Sequence, residues 1–178
     1  MSIIALFGAK SAGKTTVANY LCRHHGYHCL SFADPMRWML QNLGITRTAL
    51  DNDKESSPAV LGDKTINYAL KTLGTEWGRQ LINEDIWVEV LRQRLSFYPN
   101  IVIDDLRFNN EFDMLQAYNA CFVYIAAPKA ENQEDHTHIS NLIWRSWANG
   151  ERKHKKIENL SSFADLQTQV TTLVESLK

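Results

Sequence analysis

Ser2 to Phe7 is a short apolar run closed by Gly8, the pattern of a strand buried on both faces. From Gly13 the apolar positions Val17, Ala18 and Leu21 recur at helical spacing as far as Gly26, a helix stop. His28 to Ala33 predicts a second strand. Pro35 suits the first turn of a helix, with Asp34 before it as a capping residue, and Met36, Met39, Leu40 and Leu43 give that helix an apolar face up to Gly44. Residues 46 to 65 are polar and read as a loop. Ile66, Ala69, Leu70, Leu73 and Trp77 then outline an amphipathic helix over Ile66 to Ile82, interrupted or bent near Gly74. Ile86, Val90, Leu91 and Leu95 mark another helix, closed by Pro99.

Ile101 to Ile103 is a β-branched run leading into Asp104 and Asp105, and Cys121 to Ala127 is a further apolar strand, with a helix over Asn109 to Tyr118 between them. Lys155 to Asn159 predicts a last short strand. Ser161 or Ser162 can cap a terminal helix whose Phe163, Leu166, Val170, Leu173, Val174 and Leu177 keep a 3,4 rhythm. Strands alternating with helices argue for an α/β fold, a parallel sheet covered on both sides in a single domain over residues 1–178.

Composition narrows the function classes. The 178 residues carry 19 Lys plus Arg against 20 Asp plus Glu, a formal charge of -1, which lacks the global field of a dedicated nucleic-acid binder. No apolar run approaches the roughly 20 residues of a membrane helix. The opening MSIIALFGAK has no basic region before its short apolar stretch, and the three cysteines form no CxxC pair, so the expected location is the cytoplasm with reduced thiols. Cys22-Arg23-His24-His25-Gly26-Tyr27-His28-Cys29 is dense in metal-ligand types but lacks zinc-finger spacing. His136-Thr137-His138 reads as a polar loop, and the run Glu151 to Lys156 as a solvated turn.

One motif carries specific chemistry. Gly8-Ala9-Lys10-Ser11-Ala12-Gly13-Lys14-Thr15 fits GxxxxGK[ST] and follows a buried strand while opening a helix, the context a phosphate-binding loop requires. Successive backbone N–H groups and the positive helix end wrap phosphates, Lys14 reaches the β and γ phosphates, and the Thr15 hydroxyl ligates magnesium. The chain is therefore expected to bind ATP with Mg2+. Asp105, at a strand end, has the placement of a carboxylate that holds that magnesium; Asp104 beside it points to the opposite face, so the two cannot share one task. Either carboxylate has an ordinary alternative as a cap of the following helix. Arg107 lies on the same side as Asp105 if the strand continues, which brings a cation to the sheet edge where open α/β folds bind ligands. Asp34, Arg37, Arg79 and Arg107 suit an acceptor site in which two phosphate groups meet. Trp38 and Trp77 lie beside Arg37 and Arg79 and offer flat rings for a base. The NKxD and DxxG segments of GTPases are missing from the sequence.

Several segments together resemble the deoxynucleoside monophosphate kinases of the bacteriophage type. They are Gly8 to Thr16, Phe32-Ala33-Asp34-Pro35-Met36-Arg37, Leu73-Gly74-Thr75-Glu76-Trp77-Gly78-Arg79, and Asp105-Leu106-Arg107-Phe108-Asn109-Asn110-Glu111, in the family's order and spanning most of the chain. The phosphate loop is common to many unrelated enzymes; the last two segments are more telling. Asp104 stands where a small residue is usual, and Asn141 where a Glu is typical. The resemblance implies an adenylate-kinase-like fold in three layers: a five-stranded parallel sheet from 1–34, 100–127 and 155–178, a helical acceptor region over 35–99, and a lid over 128–154. It implies ATP on Gly8, Ala9, Lys10, Ser11, Ala12, Gly13, Lys14, Thr15 and Thr16, magnesium at Thr15 and Asp105, and a deoxynucleoside monophosphate on Asp34, Arg37, Trp38, Glu76, Trp77, Arg79 and Arg107. Lys14, Asp34 and Arg107 are the expected catalytic residues, and Arg145 and Arg152 the candidates that close the lid on the phosphates. The partners implied are small molecules, with no nucleic acid or membrane; a homodimer is compatible with the pattern, and the location becomes a host cytoplasm if the source is viral. The alternatives are a kinase of another small phosphorylated metabolite, of the dephospho-coenzyme A or phosphomevalonate type, and a nucleotide-dependent switch or binding protein.

Overall fold

A computed structural model describes residues 1–132, 139–160 and 162–177; the His136 and His138 pair and Ser161 lie outside them. In chain order the elements are β1 (Ser2–Phe7), α1 (Lys14–His25), β2 (His28–Leu30), α2 (Asp34–Asn42), α3 (Arg47–Asn52), α4 (Ile66–Lys71) with a π-helical stretch Thr72–Ile82, α5 (Ile86–Arg94), β3 (Asn100–Ile103), α6 (Asn109–Ala117), β4 (Cys121–Ala126), α7 (Pro128–Glu131), α8 (Ile139–Ser146) with a second π-helical stretch Trp147–Glu151, β5 (Lys155–Glu158) and α9 (Phe163–Glu175). They fall into two compact units, Met1–Ser31 with Arg94–Lys178, and Phe32–Gln93.

The first unit is built on a five-stranded parallel sheet of order β2-β3-β1-β4-β5. Ile3 to Phe7, Ile101 to Ile103 and Phe122 to Ala126 are all buried, which is why these strands read as continuous apolar runs rather than alternating ones. Register sets what the carboxyl edge presents. Ala5 pairs with Ile103 on one side and Phe122 on the other, and Phe7 pairs with Tyr124, so the loop after β1 emerges between Asp104, just past β3, and the last residues of β4. Ligands of open parallel sheets bind at such an edge. The terminal helix is capped by Ser162, whose hydroxyl accepts from the Asp165 N–H at 3.2 Å while the Asp165 carboxylate accepts from the Ser162 hydroxyl at 2.8 Å.

The segment expected to form a lid is rooted in this unit at its carboxyl end. Trp144 and Trp147 are buried, and the Trp147 ring meets Phe7 edge-on at 5.6 Å and lies 5.0 Å from Phe112. Its indole N–H donates to Asn109 Oδ1 at 3.1 Å.

The second unit has its own core, Leu40, Ile45, Leu50 and Ile66, with Ala49, Leu61, Ala69, Leu70 and Leu73 packed against it. Residues 46–65, expected as a loop, contain the helix α3, capped by the Thr46 hydroxyl, which accepts from the Ala49 N–H at 3.2 Å. Six residues with one fully buried position, Leu50, are too few to show a period. The expected bend near Gly74 is a change of helix type. The Gly74 carbonyl accepts from the Trp87 indole at 2.8 Å, and the chain from Thr72 onward is wound with the wider π spacing. Asp34 is the first residue of α2 rather than its cap: Ala33 occupies the cap position, and no side chain caps this helix. Among the described residues no helix is long and apolar enough to cross a membrane.

Gly78 is buried, and a Cβ there would run into the ring of Trp87, itself 3% exposed. Overpacking of this kind costs about 1–3 kcal/mol, more than the roughly 1 kcal/mol that alanine gains over glycine in a helix. Gly78→Ala is expected to lower the thermal midpoint. An unchanged midpoint would mean that Trp87 moves aside freely.

Candidate active site

The loop from Gly8 to Gly13 is shaped by what its glycines avoid. Gly8 has φ +134° and a Cβ on it would stand 2.7 Å from the Ile125 carbonyl oxygen; Gly13 has φ +100° and a Cβ would stand 2.6 Å from Asn159 Nδ2. Ser11, also left-handed at φ 64°, marks a loop held in a conformation that side chains disfavour. Ala9 and Ala12 are fully buried beneath it. Asn159, just after β5, ties the loop down by donating from Nδ2 to the Ala12 carbonyl at 2.9 Å, while its own N–H reaches the Ala126 carbonyl at 2.8 Å. Sequence reasoning had no signal for Asn159, because only the fold brings it to residue 12.

α1 begins at Lys14 with no side-chain cap and no acidic residue of its own in the first turn, an N-terminus suited to an anion. Lys14 donates from Nζ to the carbonyls of Gly8 at 2.8 Å and Ala9 at 2.6 Å. The ammonium thus lies across the loop it serves.

The two strand-end aspartates diverge, as alternation requires, but it is Asp104 that meets Thr15. The Thr15 hydroxyl donates to Asp104 Oδ2 at 2.9 Å, whereas Asp105 accepts from the hydroxyl of Ser31, which is 3% exposed. Asp105 is the residue expected on the metal side; which of the two aspartates meets Thr15 is not specified by a pattern of apolar residues. Arg107 is exposed two residues on, after the buried Leu106.

Arg145 donates to the Glu131 carbonyl at 2.9 Å and lies 4.7 Å over the Trp144 ring; Arg152 pairs with Asp113 at 2.9 Å and lies 4.9 Å over Phe112. Both lid candidates are thus engaged by the segment itself or by α6. Beneath them the Tyr124 hydroxyl donates to Glu131 Oε1 at 2.6 Å, and burial together with that carboxylate pushes the phenol well above its ordinary value. Tyr124 therefore keeps its proton at neutral pH. Burial likewise raises the Cys22 and Cys121 thiols, which argues against either as a nucleophile. Among the described residues no three His, Cys, Asp or Glu side chains converge as a metal cluster.

The Phe32–Gln93 unit gathers the other expected residues. Asp34 is buried and sits 3.4 Å from Arg37 Nη1. A Cβ on Gly74 would stand 2.9 Å from Met36 Sδ, so the helix bearing Asp34, Arg37 and Trp38 packs closely on the stretch bearing Glu76, Trp77 and Arg79. Trp38 is 42% and Trp77 38% exposed, the latter 6.1 Å from Trp87 between ring centres. Arg79 donates to the Glu84 carbonyl at 3.1 Å.

A family model described as deoxynucleotide monophosphate kinase matches residues 60–143. That span excludes the phosphate loop, so its signal is independent of the motif shared by many enzymes. A protein provisionally named deoxynucleotide monophosphate kinase, from Acanthamoeba polyphaga mimivirus, is 26% identical over 164 residues, 82% of this chain and 83% of that protein. The deoxynucleoside-5'-monophosphate kinase of Escherichia phage T5 is 44% identical over 52 residues, 28% of this chain and 21% of that protein. Among solved structures, shikimate kinase from Aquifex aeolicus is similar with a TM-score of 0.59 at 17% identity, covering 98% of this chain and 97% of that one. TT1252 from Thermus thermophilus is similar with a TM-score of 0.55 at 18% identity, covering 99% and 98%. At these identities the two structures show the fold alone, an α/β phosphate-loop fold. Over residues 60–143 and in the two viral proteins the similarity is to the deoxynucleotide monophosphate kinases, the family that the chain's own segments resemble.

Proposed function

We propose that the chain transfers the γ-phosphoryl group of ATP to a deoxynucleoside 5'-monophosphate, giving ADP and the deoxynucleoside diphosphate. The observation that carries this is the pairing of a formed phosphate loop, with Thr15 against Asp104, and a family match that lies wholly outside that loop. The oxygen donors Thr15 Oγ1 and Asp104 Oδ2 suit magnesium, which takes one or two protein oxygens and otherwise phosphates and water. When bound, the ion would supply charge neutralisation at the phosphates. Loop N–H groups and Lys14 bind the donor phosphates, and Arg107 binds the acceptor or transferring phosphate. Asp34, Arg37, Trp38, Glu76, Trp77 and Arg79 take the acceptor nucleotide, the arginines its phosphate and the tryptophan rings its base. The proposed setting is the cytoplasm, of the host if the source is viral.

A monophosphate oxygen is already anionic near neutral pH, so orientation and charge neutralisation matter more than a base. Asp34 then positions rather than deprotonates. Asp34→Asn is expected to lower turnover moderately, about 10-fold, and to leave the acidic limb of the pH-rate profile in place. A loss of roughly 100-fold with a flattened acidic limb would favour a hydroxyl acceptor instead. Turnover measured across pH at saturating nucleotide separates the two.

A further inference from the structure

We infer that Glu111 is a positioning residue for Arg107, holding the loop that carries its guanidinium; this rests on the phosphate-binding role proposed for Arg107. Glu111 is 2% exposed, and one carboxylate oxygen, Oε2, accepts from the backbone N–H of Arg107 at 2.8 Å and of Phe108 at 3.1 Å. A carboxylate out of water is costly unless such donors surround it.

The bond to Phe108 is the one that a helix start requires, since Phe108 stands at the cap position of α6 and its side chain has no acceptor. The bond to Arg107 is not. It is the shorter of the two and reaches one residue outside the helix, into the loop after β3.

That loop is pinned on both sides of Arg107. Leu106 is 2% exposed and anchors it in the core, Asp105 is held by buried Ser31, and Glu111 fixes the peptides that follow. Between these anchors the Arg107 side chain is exposed. A guanidinium on a fixed backbone loses less freedom when it grips a phosphate, and a displacement of about 1 Å in a positioning group can cost on the order of 100-fold in rate.

The test is a double-mutant cycle on turnover with a deoxynucleoside monophosphate. Glu111→Gln keeps the shape and one amide oxygen but loses the charge that serves two N–H groups. It is expected to lower kcat/KM for the acceptor by about 10-fold with KM for ATP unchanged. In an Arg107→Ala background the same change should matter less than about twofold, because the group it positions is gone. Hydrogen exchange at the Arg107 and Phe108 amides should quicken in Glu111→Gln while the β1 and β3 amides keep their protection. A factor that multiplies unchanged into the Arg107→Ala background, or no loss at all in Glu111→Gln, overturns the proposal. If the wild type transfers phosphate to no deoxynucleoside monophosphate, the kinase reading fails and takes this one with it. An active wild type with independent effects removes the Glu111 role alone.

Discussion

Lys14→Ala is expected to cut phosphoryl transfer about 100-fold or more and leave the fold intact. The side chain is half-buried and fills no core, and the Gly8 and Ala9 carbonyls to which it donates are groups that water can serve once the ammonium is gone. What is lost is a preorganised charge where negative charge gathers during transfer. Removal of a single electrostatic donor of this sort costs about 3 kcal/mol or more of transition-state stabilisation, on the order of 100-fold in turnover. Steady-state kinetics beside a thermal melt checks both halves. Turnover near the wild type would remove the phosphate loop from the chemistry, whereas a collapsed melt would show that the lysine braces the loop.

The two adjacent aspartates supply the second large effect, because they differ in partner. Asp104→Asn keeps an oxygen near Thr15 but removes the negative charge that favours a magnesium ion there, so turnover should fall about 100-fold and the magnesium needed for half-maximal rate should rise. Asp105→Asn still accepts from Ser31, and its effect is expected to be nearer 10-fold with unchanged magnesium dependence. Magnesium titrations of the two variants separate them. The reverse ranking would return the metal side to Asp105 and leave Asp104 as a partner of Thr15 only.

Much of the fold was legible because its signals are local. The buried runs Ile3 to Phe7 and Phe122 to Ala126 announce strands, Gly26 ends α1 where the apolar spacing stops, and Ser162 caps α9 as its position before Phe163 implies. Where the reading missed, the deciding contact came from elsewhere in the chain. Nothing in 46–65 discloses that Leu50 joins Leu40 and Ile66 in a core, and nothing near Gly74 discloses that the Trp87 indole takes its carbonyl. The site divides the same way. Lys14 and Thr15 lie inside one motif and are found by spacing, but Asp104 against Asp105 turns on strand register, and Asn159 reaches Ala12 only through β5. Arg145 and Arg152 enter through the resemblance, which says nothing of their partners Glu131 and Asp113, because a guanidinium's partner depends on packing.

The central claim is transfer from ATP to a deoxynucleoside monophosphate, and coupled detection of ADP release by the purified chain, with and without each monophosphate, tests it most directly. The account predicts little ADP from ATP and magnesium alone, a sharp rise on adding at least one deoxynucleoside monophosphate, an equal amount of its diphosphate, and a stimulated rate about 100-fold lower with Lys14→Ala. ADP release that no monophosphate stimulates, or that responds only to dephospho-coenzyme A or phosphomevalonate, would contradict it.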